Sequence, residues 1–252
     1  MFFYIERSDF MKNNYLLVHI PHASLRIPYI CKRRLIKNIK KENVFMSDYL
    51  VDRLVSKSIK CIKFRYSRMF CDVERFNSDE EVMNNYGMGV VYTKESNGED
   101  FIVFDDEYRS AVIENYYNKH HDMLNKKVSN IIDKYNKCIL IDLHSFSDLF
   151  VKKMFDKEGS PDVCIGVENT YTSKLLALKT IKHFEKYNYS VKVNYPYEGS
   201  IIPNKYFEVY DNRLDTIMIE LNKRIYLNGD RINKNEFNRL KRCISEYFKT
   251  IK

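Results

Sequence analysis

The stretch CILIDLHS, residues 138–145, decides the fold of this chain. Its apolar run is typical of a strand that is buried on both faces, as in a parallel sheet. Similar runs occur at 15–20 (YLLVHI) and 215–221 (DTIMIEL), and a helical apolar pattern covers residues 106–135. Apolar strands that alternate with helices predict an α/β fold, in which helices cover both faces of a mainly parallel sheet.

Length and composition predict one domain over residues 1–252. The chain has no repeat and no linker rich in Pro or Ser, and its 252 residues are enough to bury a large core. No apolar run approaches the roughly 20 residues that cross a bilayer. The first residues, MFFYIERSDF, contain acidic side chains and no long apolar core. We therefore expect no signal peptide and no membrane partner.

Charge and cysteine content indicate a cytoplasmic protein that does not bind nucleic acid. The net charge is +8, but the basic residues are scattered and form no patch of the kind that contacts phosphates. None of the six cysteines forms a Cys-x-x-Cys pair. Four of them (Cys61, Cys71, Cys138 and Cys164) lie in apolar, strand-like contexts, so we expect buried thiols in a reducing compartment.

Chemically useful side chains follow several of the predicted strands. His22 follows the first strand, Asp142 and His144 lie near the end of the strand at 138–145, and Glu220 lies near the end of the strand at 215–221. Parallel sheets gather the carboxyl ends of their strands at one crevice, so these groups are expected to converge. For any single histidine, a structural role at a strand end is the alternative.

Seven segments, in order, resemble the N-formylglutamate amidohydrolase family. They are IPHAS (20–24), SRMFCDVERF (67–76), YNKHHDML (117–124), IDLHS (141–145), PDVCIG (161–166), NYPYEG (194–199) and IELN (219–222). The resemblance implies the three-layer α/β/α fold of the zinc-dependent carboxypeptidases, with a mixed, mostly parallel sheet of about eight strands. It also implies hydrolysis of N-formyl-L-glutamate to formate and glutamate, a step of one route of histidine degradation.

The resemblance implies one zinc ion, and His22 and His144 are its natural ligands because zinc suits imidazole. The related peptidases place a Glu three residues after the first His, where this chain has Leu25. We take Asp48 as the third ligand. Its alternative is an N-cap, since Ser47 and Asp48 precede a helical stripe over residues 50–55. Glu74 is the other contender for the metal.

A second carboxylate near the metal has two interpretations. Asp142 lies two residues before His144 on one strand face, so it could orient that imidazole. The alternative is a strand-end carboxylate that accepts hydrogen bonds from backbone amides.

The remaining site residues are assigned by the same resemblance. Glu220 is the general base, with an ion pair to Lys223 or Arg224 as its structural alternative. Arg75 binds a substrate carboxylate, because a guanidinium can grip one with two hydrogen bonds. Glu74 either fixes Arg75 or reaches the metal.

Three further residues complete the expected site. Arg68 holds a second carboxylate or polarises the scissile carbonyl, and its alternative is a pair with Asp72. His121 helps the oxyanion, while its neighbour His120 is expected in solvent. Tyr197 belongs to an aromatic turn that forms a pocket wall or lid.

The sequence thus predicts a zinc-dependent amidohydrolase that acts on a small acidic N-acyl amino acid. Two alternatives remain at this stage. One is a metallocarboxypeptidase-like hydrolase of another peptide or acyl amide, and the other is a catalytically idle binding module with the same fold.

Overall fold

The computed structural model describes residues 15–251, and its centre is a six-stranded sheet in the order β2-β1-β3-β6-β4-β5. The strands are β1 (Leu16–Ile20), β2 (Cys61–Lys63), β3 (Cys138–Phe146), β4 (Val163–Gly166), β5 (Val191–Val193) and β6 (Leu214–Asn222). All neighbours pair in parallel except β4 and β6, which are antiparallel. The mixed, mostly parallel sheet that the sequence predicts is confirmed.

The strand count differs from the expected eight. Two further strands, β7 (Leu227–Asn228) and β8 (Arg231–Ile232), pair with each other in a separate antiparallel hairpin. Within residues 15–251, the main sheet therefore has six strands.

Helices cover both faces of the sheet. They are α1 (Tyr29–Lys32), α2 (Lys40–Met46), α3 (Asp106–Val112), α4 (Asn118–Tyr135), α5 (Asp148–Phe155), α6 (Lys174–Lys186), α7 (Asn204–Glu208) and α8 (Lys234–Thr250). A π-helical turn, Ile113–Tyr117, joins α3 to α4, so the long helix predicted over 106–135 is confirmed as one continuous segment. None of the helices within residues 15–251 is long and apolar enough to span a membrane.

The side chains of the central strands alternate between two hydrophobic cores, one on each face of the sheet. On β3, Ile139 and Ile141 pack into the core beneath α6 and α8, whereas Leu140 packs into the core beneath α4. Because successive side chains of a strand point to opposite faces, Asp142 and His144 share the face of Leu140. We call this the α4 face. His19 and Glu220 lie on the same face, since they pair with Asp142 and His144.

The prediction of a helix directly after Ser47 and Asp48 is wrong. Leu50 has a left-handed backbone (φ 69°), and only a three-residue 3-10 helix, Val51–Arg53, follows it without a side-chain cap. The turn at Leu50 interrupts the apolar stripe that suggested the helix. Asp48 is therefore not an N-cap, and its carboxylate is available for other contacts.

The cysteines are all free thiols, as the absence of a paired motif suggested. Cys71, Cys138 and Cys164 are buried, whereas Cys61 on β2 is only half-buried. The expectation of four buried thiols is therefore wrong for Cys61. Its strand is the last one on that side of the sheet and is covered less completely.

Candidate active site

A cleft of about 480 Å³ opens at the carboxyl ends of β1, β3 and β6. Seven of the nine side chains expected in the site line it: His22, Arg68, Glu74, Arg75, His144, Tyr197 and Glu220. Asp48 lies just beneath it, within hydrogen-bond distance of His144. His121 lines a neighbouring cleft of about 270 Å³, whose wall also includes Glu74 and Arg75.

His22 and His144 face each other at the floor of the cleft, with ring centroids 5.2 Å apart. Buried carboxylates lie beside Nε2 of His22 and beside both nitrogens of His144. His22 Nε2 is 2.8 Å from Asp72, and His144 Nε2 is 3.0 Å from Asp142. The Nδ1 atom of His22 is buried and makes no hydrogen bond with any residue of 15–251. It is a free ligand atom at the cleft floor.

Two carboxylates reach this histidine pair. Asp48 Oδ2 lies 3.0 Å from His144 Nδ1 and 3.7 Å from His22 Nδ1. Glu74 Oε2 lies 3.2 Å from His144 Nε2 and 3.7 Å from His22 Nδ1. His22, Glu74 and His144 can each offer one ligand atom within 4.8 Å of the other two. The donor set of imidazoles and carboxylates fits a divalent metal of the zinc type.

Asp72 is a buried hub that sequence reasoning did not assign to the site. Besides His22, its carboxylate accepts hydrogen bonds from Tyr92 Oη (2.9 Å) and from Nε and Nη2 of Arg68 (3.0 and 2.7 Å). Burial opposes its ionisation, but the charges of Arg68 and His22 outweigh burial and hold the pKa of Asp72 well below its usual range. The alternative for Arg68, a pair with Asp72, is therefore formed, although Arg68 also lines the cleft.

Arg75 forms no ion pair with Glu74 within residues 15–251. Within residues 15–251, the carboxylate at ion-pair distance from its guanidinium is that of Asp72, 3.7 Å from Nε. Nε is buried and has no hydrogen-bond partner among these residues. The Tyr117 hydroxyl donates to the backbone carbonyl of Arg75, which ties this loop to the long helix. The guanidinium thus has hydrogen-bonding capacity left for an anion.

Glu220 is a buried carboxylate that forms no ion pair with any cation of residues 15–251. Its Oε2 makes no hydrogen bond with the described part of the chain, and burial raises the pKa of Glu220 to about 8. The structural alternative, an ion pair with Lys223 or Arg224, is not formed within residues 15–251. Lys223 donates instead to the Phe45 carbonyl (2.7 Å), and Arg224 pairs with two aspartates, Asp148 and Asp162.

Asp142 has more contacts than either sequence interpretation foresaw. Its Oδ1 lies 3.0 Å from His144 Nε2 and 2.9 Å from His19 Nδ1, and its Oδ2 accepts a long hydrogen bond from the Ile201 amide (3.4 Å). The carboxylate therefore touches both an imidazole of the cleft and a histidine behind it.

The expectation that His120 lies in solvent is wrong. His120 is 3 % exposed and its Nε2 lies 2.9 Å from Nε2 of His19. His121 is also buried and packs against the ring of Tyr117. Adjacent positions of α4 are both covered, because His120 packs against His19 and Phe64 while His121 packs against Tyr117. His19 gave no sequence signal beyond its place in an apolar strand.

Tyr197 forms one wall of the cleft. Its ring makes edge contacts with Phe146 and Phe155, and its hydroxyl is buried enough for the pKa to lie well above its usual value. The turn that carries Tyr197 passes so close to β4 that a Cβ at Gly166 would lie 2.0 Å from the Gly199 carbonyl oxygen. Gly166 therefore lets this wall approach the sheet.

Known proteins resemble the chain both in sequence and in fold. The family model described as N-formylglutamate amidohydrolase matches residues 15–227. The crystal structure of N-formylglutamate amidohydrolase from Ralstonia eutropha JMP134 superimposes with a TM-score of 0.79 at 16% identity, covering 93% of this chain and 91% of that one. A gene product of Agrobacterium tumefaciens gives 0.67 at 18% identity, over 94% and 88%. No curated protein sequence matches.

Proposed function

The chain belongs to the N-formylglutamate amidohydrolase family, and from that premise we propose that it hydrolyses the N-acyl amide of a small acidic amino acid, N-formyl-L-glutamate above all. One observation supports this most strongly. A single cleft combines two imidazoles within reach of carboxylates, two guanidinium groups, and a buried glutamate that pairs with no cation in the described part of the chain. These are the groups that hydrolysis of a dicarboxylate amide requires.

We propose that His22, Asp48 and His144 hold one zinc ion. Asp48 Oδ2 faces Nδ1 of both imidazoles, and the other nitrogen of each ring lies beside a carboxylate, as is usual for metal-bound histidine. Glu74 is the rival third ligand, because its Oε2 reaches the same two rings. Zinc held there would lower the pKa of a water ligand to about 7 and would polarise the amide carbonyl.

Glu220 is the general base in this proposal. Its free Oε2 takes a proton from the attacking water and later delivers that proton to the leaving nitrogen, so that formate and the amino acid are released. Burial favours the protonated form of the carboxylate, which suits a group that must donate the proton as well as accept it.

The cations of the cleft select the substrate. Arg75 binds one carboxylate of the amino acid with its free donors, and Arg68 uses Nε and Nη2 to hold Asp72 while its cleft-facing side polarises the scissile carbonyl. His121 supports the oxyanion from the adjoining cleft, and Tyr197 encloses the substrate. Excluding water strengthens each of these electrostatic contacts.

The proposal is tested by metal analysis and kinetics of the purified protein. We expect bound zinc, loss of activity after chelation, and recovery when zinc is restored. Asp48→Asn should lower zinc affinity more than Glu74→Gln, and the reverse order would make Glu74 the third ligand. If the zinc-loaded protein does not hydrolyse N-formylglutamate, the assignment of this substrate is wrong.

A panel of other N-acyl amino acids and short peptides separates the alternatives. A preference for another acyl amide would favour the carboxypeptidase-like hydrolase. A protein that neither binds zinc nor turns over any member of the panel would be the idle binding module.

A further inference from the structure

Beside the cleft, the buried side chains of His19, His120 and Asp142 form a second cluster with the half-buried Glu74. His19 is fully buried on β1, three residues before His22. Its Nδ1 lies 2.9 Å from Asp142 Oδ1 and 3.4 Å from Glu74 Oε1. Its Nε2 lies 2.9 Å from Nε2 of His120. His19 and His120 have no part in the catalytic roles described above.

The tautomers of His19 and His120 decide whether His19 Nδ1 donates a proton to Asp142 or presents a lone pair. A neutral imidazole has one N–H, and the contact between the two Nε2 atoms needs a single proton between His19 and His120. If His19 donates that proton, its Nδ1 presents a lone pair to two carboxylates. Such an arrangement is stable in a buried site only when a positive charge, either a second proton or a metal ion, lies between these groups.

Glu74 connects this cluster to the histidine pair of the cleft. Its Oε1 faces His19, whereas its Oε2 faces His144 at 3.2 Å and His22 at 3.7 Å. Oε1 is buried and makes no hydrogen bond within the described residues. Asp142 Oδ1 also stands between His19 and His144, at 2.9 and 3.0 Å. A carboxylate whose two oxygens face two separate imidazole groups has the geometry of a metal bridge.

We propose that His19, Glu74 and Asp142 form a second divalent-metal site, and that Glu74 bridges it to a metal at His22 and His144. Their ligand atoms all lie within 4.8 Å of one another. Imidazole with two carboxylates suits Zn²⁺ or Mn²⁺. His120 accepts the Nε2 proton of His19 and so fixes the tautomer that leaves Nδ1 free for the metal. This inference rests on the proposed function, because it adds a metal to the same centre.

The number of metal ions per chain tests the two proposals separately. The protein is stripped with a chelator, dialysed to equilibrium against Zn²⁺ and analysed by mass spectrometry of the metal. We expect two ions per chain in the wild type and one in His19→Gln. A matched control is His183→Gln, since His183 is also buried but donates to the Cys243 carbonyl far from the cleft, and this variant should retain two ions.

Each other result overturns the inference. One ion in the wild type would mean that His19 carries a proton instead, while the proposed function survives. No ion would overturn both proposals. Two ions in His19→Gln would place the second ion elsewhere. If that variant does not fold, X-ray absorption of the wild type decides. We expect a metal–metal vector at about 3.5–4 Å, the spacing of two-metal sites, and its absence would refute the bridge.

Discussion

His144 and Glu220 are directly opposed on the adjacent parallel strands β3 and β6. The two residues are far apart in sequence, but their register places both side chains on the α4 face at the carboxyl end of the sheet. An imidazole that can hold a metal and a carboxylate that can move a proton are thereby held on neighbouring rigid strands. This pairing underlies the first two predictions.

Replacing Glu220 by Gln should abolish most turnover without removing the metal. The amide has the size of the carboxylate but cannot accept the proton of the attacking water, so kcat should fall by about 10²–10⁴-fold. Steady-state kinetics and metal analysis on the same preparation check this. Glu99→Gln is the control, because Glu99 is exposed in an ion pair with Lys37 and its loss should not change kcat. Full activity of Glu220→Gln would remove Glu220 from its assigned role.

The stability of the metal-free protein should fall with pH because of Glu220. Burial raises its pKa to about 8, whereas an unfolded chain ionises glutamate near its usual value of about 4.3. Between these two values the folded state binds more protons than the unfolded state, so its stability decreases as pH rises. The Tm of chelated Glu220→Gln, relative to the wild type, should therefore increase from pH 5 to pH 9. A constant difference over this range would contradict the prediction.

Arg75→Lys should weaken substrate binding more than catalysis. Lysine cannot grip a carboxylate with two parallel hydrogen bonds, so we expect KM for N-formylglutamate to rise about 10–100-fold with a smaller change in kcat. An analogue in which the carboxylate bound by Arg75 is an amide should lose this sensitivity. Arg213→Lys is the control, since Arg213 is exposed and pairs with Asp211. A lower kcat with unchanged KM would show that Arg75 acts on the reacting atoms instead.

Asp72→Asn should lower zinc affinity by about 10–100-fold, the usual effect of removing a carboxylate that orients a metal-bound histidine. The amide keeps the shape of Asp72 but loses the charge that holds His22 Nε2 at 2.8 Å. Competition with a chelator measures the zinc Kd. Tyr92→Phe removes only one hydrogen bond to the same carboxylate and should have a smaller effect. Equal zinc affinities for wild type and Asp72→Asn would exclude the orienting role.

Gly166→Ala should displace the cleft wall that carries Tyr197. The added methyl group would lie 2.0 Å from the Gly199 carbonyl oxygen and 2.5 Å from Met218 Cε, so the turn must move away from β4. We expect a higher KM and a lower Tm. Gly98→Ala is the matched control, because Gly98 has a φ of +86° but open space around it. Gly98→Ala should lower Tm without changing KM. A lower Tm with unchanged KM in Gly166→Ala would show that the wall does not contact substrate.

The strands and their faces were predictable because side-chain alternation is a local property. The apolar runs at 15–20, 138–143 and 215–221 identify β1, β3 and β6. Because every second side chain of a strand points to the same face, Asp142 and His144 share one face. The reversed direction of β4 could not be read in this way, since parallel and antiparallel neighbours have similar apolar patterns when both faces are buried. The helix expected after Asp48 was wrong for a related reason, because a single left-handed residue, Leu50, interrupts the stripe.

By itself, the sequence determined the α/β class, the family and the placement of His144 and Glu220 at strand ends, because each follows from short-range patterns. Only the tertiary structure decided which carboxylates meet the imidazoles. Asp48 and Glu74 arrive on irregular loops, whose paths depend on packing between distant segments rather than on any period in the chain. The same holds for Asp72 and for the contact of His19 with His120, since burial beside a distant partner leaves no local signal.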